Sequence, residues 1–347
     1  MRILVKGAGV GGLAAAFALH RAGHQVTVCE KAADFSAAAS WLAGGMLAPY
    51  CERESAPERV LADGLGAADW WAQAVPGSVT RAGTLVVAPA RDEGELERFA
   101  RRTRGFEWLD AEGVAALEPA LAGRFRRGLF FREEAHLDPR RTLLALRDRL
   151  VAEGAVIRFG MEVGEAGLSP ASHDCVVDCT GAAARGRLPG LRAVRGEMLM
   201  LETPEVTLSR PVRLLHPRHP LYVVPRAGGR FMVGATMIES ETQGLVSARS
   251  VMELLNAAYA LHPAFGEAHL AETGAGLRPA FADNLPAITG EGGQFQINGF
   301  YRHGFLLAPS IAEALAARLA KTPAPATLAP ETSGPEKLGH FLQGEVA

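Results

Sequence analysis

The chain opens on an apolar run, Ile3-Leu4-Val5, breaks at Gly7-Ala8-Gly9-Val10-Gly11-Gly12, and turns apolar again from Leu13 to Leu19. A second short run, Gln25 to Cys29, ends on Glu30. This pattern predicts strand, tight glycine turn, helix, strand and a terminal acid. Beyond Glu30 the period is lost. Lys31 to Ser40 is small and polar, and the stretch from Trp41 through Gly44, Gly45 and Met46 to Pro49 follows neither a period of 2 nor one of 3.6. Its paired glycines suggest backbone lying close against something flat, and Trp41 and Met46 argue against an ordinary surface loop.

Periodicity then predicts a helix over residues 55–75 ending near Pro76, a strand from Thr84 to Ala88, and a charged, solvated helix from Asp92 to Arg104. Residues 107–119 read as strand, turn and short helix, and Gly128 to Phe131 as a strand. Leu143 to Val151 is an amphipathic helix, with Asp138 as N-cap and Pro139 at its first position. Gly154 to Phe159 and Cys175 to Asp178 are strands, so the α/β alternation of the first residues resumes here. A strand-rich stretch begins at 194–201. Leu221 to Pro225 and Arg230 to Thr236 flank Ala227-Gly228-Gly229 as a hairpin, followed by a helix over 247–260 and a strand from Leu270 to Gly276. A strand at 294–299 and an apolar helix from Phe305 to Ala320 close the pattern, and the Pro/Ala-rich tail from Thr322 is expected to be loose. The simplest account is an α/β, Rossmann-like nucleotide domain (1–75, 138–193 and 274–347) interrupted by an α+β domain with an antiparallel sheet (76–137 and 194–273).

The first unit carries chemistry. Gly7 permits the tight turn, Gly9 lets backbone approach a pyrophosphate, and Gly12 allows close packing of helix on strand. The helix N-terminus offers free N–H groups and the positive end of a dipole. Glu30 stands where an acid meets a ribose hydroxyl pair, which suits FAD or NAD and argues against a 2′-phosphate.

Composition narrows the class. A length of 347 residues is enough for two domains, and a net charge of −2 leaves no footprint for nucleic acid. Four scattered cysteines are too few for a disulfide framework, and Cys175 and Cys179 read as strand residues rather than metal ligands. No apolar run reaches the ~18 residues of a membrane helix. No room for a signal peptide precedes the first strand, so the expected location is cytoplasmic.

Four separated motifs point one way: the fingerprint ending at Glu30, SWLAGGMLAP (Ser40–Pro49), VVDCTGAAAR (Val176–Arg185), and a C-terminal set holding LYVVPR, FMVGATM, AGLRPAFADNLPAITG and YRHGFLLAP. The chain resembles the FAD-dependent D-amino-acid-oxidase-like superfamily, and within it the glycine oxidases of the thiamine-biosynthesis type, almost from end to end. The resemblance implies that superfamily's two-domain fold and a non-covalent FAD. No cysteine follows Cys179, so a flavin–cysteine bond from the C-terminal half is excluded. It implies cofactor contacts at Gly7, Gly9, Val10, Gly11 and Gly12, at Glu30 and Lys31, and at Ser40, Gly44, Gly45 and Met46. It adds Val163, whose backbone would meet the adenine, the Thr180-Gly181 turn, and Arg302, His303, Gly304, Phe305 and Leu306. The helix near Gly304 would aim its positive end at the flavin's pyrimidine edge.

For the reaction, the resemblance implies Arg278 as the carboxylate clamp, a role that suits a planar guanidinium fork. Arg302 is a second arginine beside the flavin or a salt bridge orienting its loop. Tyr222 would assist the substrate through its hydroxyl, and Met237 and Met46 would form pocket wall. His303 is expected as a backbone position rather than a base, and His136 as structural. Pro220 stands where some relatives place a polar pocket residue, so glycine, sarcosine, another small amine or a D-amino acid remain as substrates. Hydride transfer to the cofactor would give an imine, then glyoxylate and ammonia, with O2 reduced to H2O2. The imine could instead feed thiazole synthesis. The expected partners are therefore the amine, O2, a thiazole synthase and further copies of the chain, without nucleic acid or membrane. A D-amino-acid or N-methyl-amino-acid dehydrogenase, and a non-catalytic flavin- or NAD-binding protein, are the alternatives.

Overall fold

A computed structural model describes residues 1–162, 169–216 and 220–321. Val163 and the tail from Thr322 lie outside the described residues. A six-stranded sheet runs in the order Ala287–Glu291, Gln294–Asn298, Cys175–Asp178, Arg2–Lys6, Gln25–Glu30, Val156–Phe159. Every neighbouring pair is parallel except the first. Its central strand buries Ile3, Leu4 and Val5 completely, as a strand covered on both faces must. The helix Val10–Arg21 packs against Gly304–Ala320 and Pro139–Ala152. It is apolar around its whole circumference, with Leu13 to Leu19 all buried, because it lies between a sheet and other helices. Asp138 accepts from the N–H groups of Arg140 and Arg141, so the Asp-Pro start expected from the sequence caps the helix Pro139–Ala152.

An eight-stranded sheet joins the two intervening segments. Its order is His269–Ala280, Arg192–Glu202, Arg230–Gly234, Leu221–Arg226, Val212–Leu214, Thr84–Val87, Arg127–Phe131, Glu107–Asp110. It is antiparallel except where Val212–Leu214 meets Thr84–Val87. Alternation gives it two different faces. Leu199, Leu201, Leu221, Val223, Phe231 and Val233 pack with the helix Ala248–Leu261, while Met198, Met200, Tyr222, Val224 and Met232 turn to the other side. A small third sheet, Met46–Leu47, Ala135–Leu137 and Val79–Thr80, has no counterpart in the periodicity because its strands have two or three residues.

Three expectations change. Three short helices follow one another here, Pro49–Arg53 before the span expected as one helix over 55–75, and Glu58–Gly64 and Ala67–Ala74 within it. Pro57 starts the second and cannot continue a preceding helix, and Gly66 starts the third. The charged helix contracts to Gly94–Ala100 and is not wholly solvated, since Leu96 and Phe99 are buried. The strand expected to end at Gly276 runs unbroken from His269 to Ala280, so Arg278 stands on a sheet rather than in a loop.

The glycine turn depends on one close approach. A Cβ at Gly12 would overlap the carbonyl oxygen of Gly7, and Gly7 itself has φ +96°. Gly12→Ala should therefore force the first strand and helix apart and lower stability by about 1–3 kcal/mol, read as a fall in the urea midpoint.

Candidate active site

The face bearing the methionines, the glycine turn and the start of the C-terminal helix enclose one cavity of about 1880 Å³. That exceeds the ~300–1,000 Å³ of a typical small-ligand pocket and leaves room for a dinucleotide beside a small substrate. Gly7, Gly9, Val10 and Gly11 line it. Gly9 is the N-cap of Val10–Arg21 and supplies no side-chain hydrogen bond; the Val10 N–H meets Ser40 Oγ at 3.3 Å. Glu30 holds its carboxylate in the turn, accepting from Ala8 N at 2.8 Å and Ala32 N at 3.0 Å. Lys31 lies at the rim, paired with Glu162.

On the other side of the cavity, Thr180 turns back on Asp178 and Gly181 takes φ +57°. The helix Gly304–Ala320 begins there, with His303 as N-cap and again no side-chain cap. Gly304 and Phe305 line the cavity. Two helices of ordinary length, neither capped by the side chain of its own N-cap residue, thus point their N-termini into one space, which suits an anionic dinucleotide. Ser40, Gly44, Met46, Arg302 and His303 also line it. Gly12, Gly45 and Leu306, named as cofactor contacts from the sequence, do not. Gly12 packs on Gly7, Gly45 (φ +71°) fits under Pro139, and Leu306 is buried beside Gly64.

The cavity lining is rich in charge. Eight arginines line the cavity, and seven have a carboxylate partner. Arg98 pairs with Glu95, Arg102 and Arg213 with Glu54, and Arg185 with Glu241. Arg187 pairs with Asp178, Arg195 with Glu197 and Arg302 with Glu52. Among the described residues, Arg278 is the one cavity arginine without such a partner. Its Nη1 donates to the Thr236 carbonyl at 2.9 Å, and its guanidinium lies on Gly196, where any side chain would intrude. Burial, and then the nearby Arg302 charge, bring its pKa down to about 10 against the smaller opposing effects of Tyr301 and Glu52, so the proton stays at neutral pH.

Glu52, on the short helix Pro49–Arg53, is the hub of the paired groups. Its carboxylate meets Arg302 Nε at 2.9 Å and Nη2 at 3.0 Å, and His303 Nδ1 at 3.4 Å. Tyr222 donates its hydroxyl to the same carboxylate at 3.1 Å and accepts from Arg213 Nη1 at 2.9 Å. Burial alone would raise the Glu52 pKa, but Arg302, His303 and Arg213 outweigh it and bring the value to about 2. Burial lowers His303 to about 4, with Arg302 and Arg278 adding to the effect and Glu52 opposing it, so the imidazole is neutral at pH 7. The Tyr222 hydroxyl lines the cavity, but its hydrogen is committed to Glu52 rather than free for a substrate. Met46, Met198 and Met232 form an adaptable apolar wall beside it, and half-exposed Met237 sits at the rim with its sulfur 3.3 Å from the Tyr301 hydroxyl. His136 is buried away from this network. Glu52 and Arg213 were not foreseen, because Glu52-Arg53-Glu54 reads as an ordinary charged surface run and Arg213 sits in a strand of only three residues.

Beneath Glu52 lies Glu134, which accepts from the Cys51 N–H at 2.7 Å and so caps the helix that carries Glu52. Burial is the main cause that raises its pKa to about 7, with Thr84 and Cys51 alongside opposing the shift.

The chain belongs to the family of FAD dependent oxidoreductases known as DAO, whose model matches residues 2–318. It is 65% identical over 319 residues to a Rhizobium etli protein named thiamine biosynthesis oxidoreductase ThiO, covering 92% of this chain and 96% of that protein. It is 30% identical over 346 residues to the bifunctional protein ThiO/ThiG of Nostoc, covering 90% of this chain and 52% of that longer protein. The crystal structure of glycine oxidase from Geobacillus kaustophilus superposes with a TM-score of 0.76 at 26% identity, covering 92% of this chain and 94% of that one. The fold expected from the sequence, of the D-amino-acid-oxidase type, is the fold found, and FAD is the family's cofactor.

The raised Glu134 gives a signed pH dependence. Its folded pKa of about 7 lies above the 4.5 of an ordinary glutamate, so its contribution is complete below pH 4.5 and is lost as pH rises through 7. Urea unfolding at pH 5 and pH 8 should show a loss on the order of 3 kcal/mol from this group. Glu134→Gln, which keeps an acceptor for Cys51, should remove that difference.

Proposed function

We propose that the protein is an FAD-dependent amino-acid oxidase acting on glycine or a similarly small amine, with O2 reduced to H2O2. The observation that carries this reading is Arg278, a part-buried guanidinium left without a carboxylate contact in a cavity where every other arginine among the described residues has one. Such a group selects an anion, and its planar fork matches the two oxygens of an α-carboxylate. The names of the relatives, glycine oxidase and thiamine biosynthesis oxidoreductase, support the same substrate class.

FAD supplies the hydride acceptor when bound. The parallel-sheet half would hold the cofactor: Gly9 to Gly11 and the N-terminus of the first helix would take the pyrophosphate, Glu30 the ribose, and the N-terminus at Gly304 the pyrimidine edge. The antiparallel half binds the amine. Arg278 clamps the carboxylate and so fixes Cα, and the wall of Met46, Met198 and Met232 keeps water from that atom. The amine must be neutral to release hydride from Cα; its proton is released to bulk water on binding. Loss of hydride from Cα and of a proton from nitrogen leaves an imine, which water converts to glyoxylate and ammonia. In the reading closest to the named relatives, the imine serves the thiazole step of thiamine synthesis, with a thiazole synthase as partner.

Anaerobic glycine should bleach the flavin bands of the purified holoenzyme, and air should restore them with one H2O2 per turnover. Bands that persist with glycine but bleach with sarcosine or D-alanine would move the substrate, and bands indifferent to all three would end the reading. Arg278→Met should lower kcat/KM by at least about a hundredfold, chiefly through KM, with FAD content unchanged.

A further inference from the structure

We infer that Glu52 sets carboxylate specificity by masking Arg302, so that Arg278 alone is open to an anion and the cavity selects amines bearing one carboxylate over those bearing two. This rests on the reading of Arg278 as the carboxylate clamp. Both guanidiniums face one cavity, close enough for the charge of Arg302 to act on Arg278. They differ in one respect. Arg302 turns Nε and Nη2 onto the Glu52 carboxylate at 2.9 and 3.0 Å, and its Nη1 faces only the Met237 sulfur at 3.6 Å. Arg278 spends one N–H on a backbone carbonyl and meets no carboxylate.

Without Glu52, two open guanidiniums would share the site. A monocarboxylate could then bind in two registers, only one of which places Cα correctly, and a dicarboxylate could bridge both. Glu52 is therefore a positioning residue that acts through Arg302. It is held for that task from three sides. Tyr222 donates to it at 3.1 Å, Arg213 fixes Tyr222 at 2.9 Å, and Glu134 caps the N-terminus of its helix at Cys51.

The test uses the FAD-loaded enzyme, with flavin difference spectra titrated by acetate and by malonate. Glu52→Gln keeps the shape and an acceptor for Tyr222 but removes the charge. It should tighten malonate by at least about tenfold while changing acetate by less than about threefold. Glu52→Asp should keep malonate weak, and adding Arg302→Gln to Glu52→Gln should abolish the gain. Malonate binding no tighter in Glu52→Gln than in the natural enzyme overturns the proposal. If Glu52→Gln does not fold, the double variant Glu52→Gln/Arg302→Gln, which leaves no lone buried charge, decides the matter. Acetate binding retained within about tenfold supports masking, and its complete loss makes Arg302 part of the clamp and overturns it. A natural enzyme that fails to bind acetate would instead sink the amino-acid reading itself, and this inference with it.

Discussion

A guanidinium withdrawn from water needs a counter-charge, and an uncompensated one is costly enough to dictate what surrounds it. The wall of this cavity is arranged around that constraint. From the inner end of the cavity toward the surface runs a ladder of contacts: Arg302 on Glu52, Tyr222 between Glu52 and Arg213, Arg213 on Glu54, and Glu54 on exposed Arg102. Each rung satisfies its neighbour, so the whole wall stays charged without a lone charge. Arg278 stands outside the ladder. Its guanidinium makes no carboxylate contact among the described residues and lies against Gly196, where a Cβ would intrude.

The two sheets divide the work by their geometry. A parallel sheet covered by helices brings helix N-termini to one edge, and two of those ends face the cavity without a side-chain cap from their own N-cap residue. An antiparallel sheet has independent faces. Here one is aliphatic against the helix Ala248–Leu261, and the other carries Met198, Met200, Tyr222 and Met232. Because the strands Arg192–Glu202 and His269–Ala280 pair along nearly their full length, Gly196 and Arg278 are held on a rigid element rather than a loop. The loop from Thr242 to Leu245 is likewise tied down, since Arg195 donates to the carbonyls of Thr242 and Leu245 while holding Glu197.

Much of the fold was legible in the chain. The glycine turn, the Asp138-Pro139 helix start and the hairpin around Gly228-Gly229 follow from the backbone preferences of a few adjacent residues, and the long strands and helices from periods of 2 and 3.6. Where a proline or glycine broke a helical composition, as at Pro57 and Gly66, the local signal was present but outweighed by a run of good helix formers.

What the sequence by itself determined is therefore local: the dinucleotide turn with Glu30 after it, the order of elements, and the segment from which each family motif comes. Which charges are neutralised and which are left open was decided only by the tertiary structure. Glu52 meets Tyr222 across 170 positions of chain and Arg302 across 250, and no period or motif encodes such a meeting. A charge run on a helix is read as solvated until packing removes the water. Only then does a carboxylate become a hub, a tyrosine hydroxyl become committed, and one cavity arginine among eight stand without a carboxylate contact among the described residues.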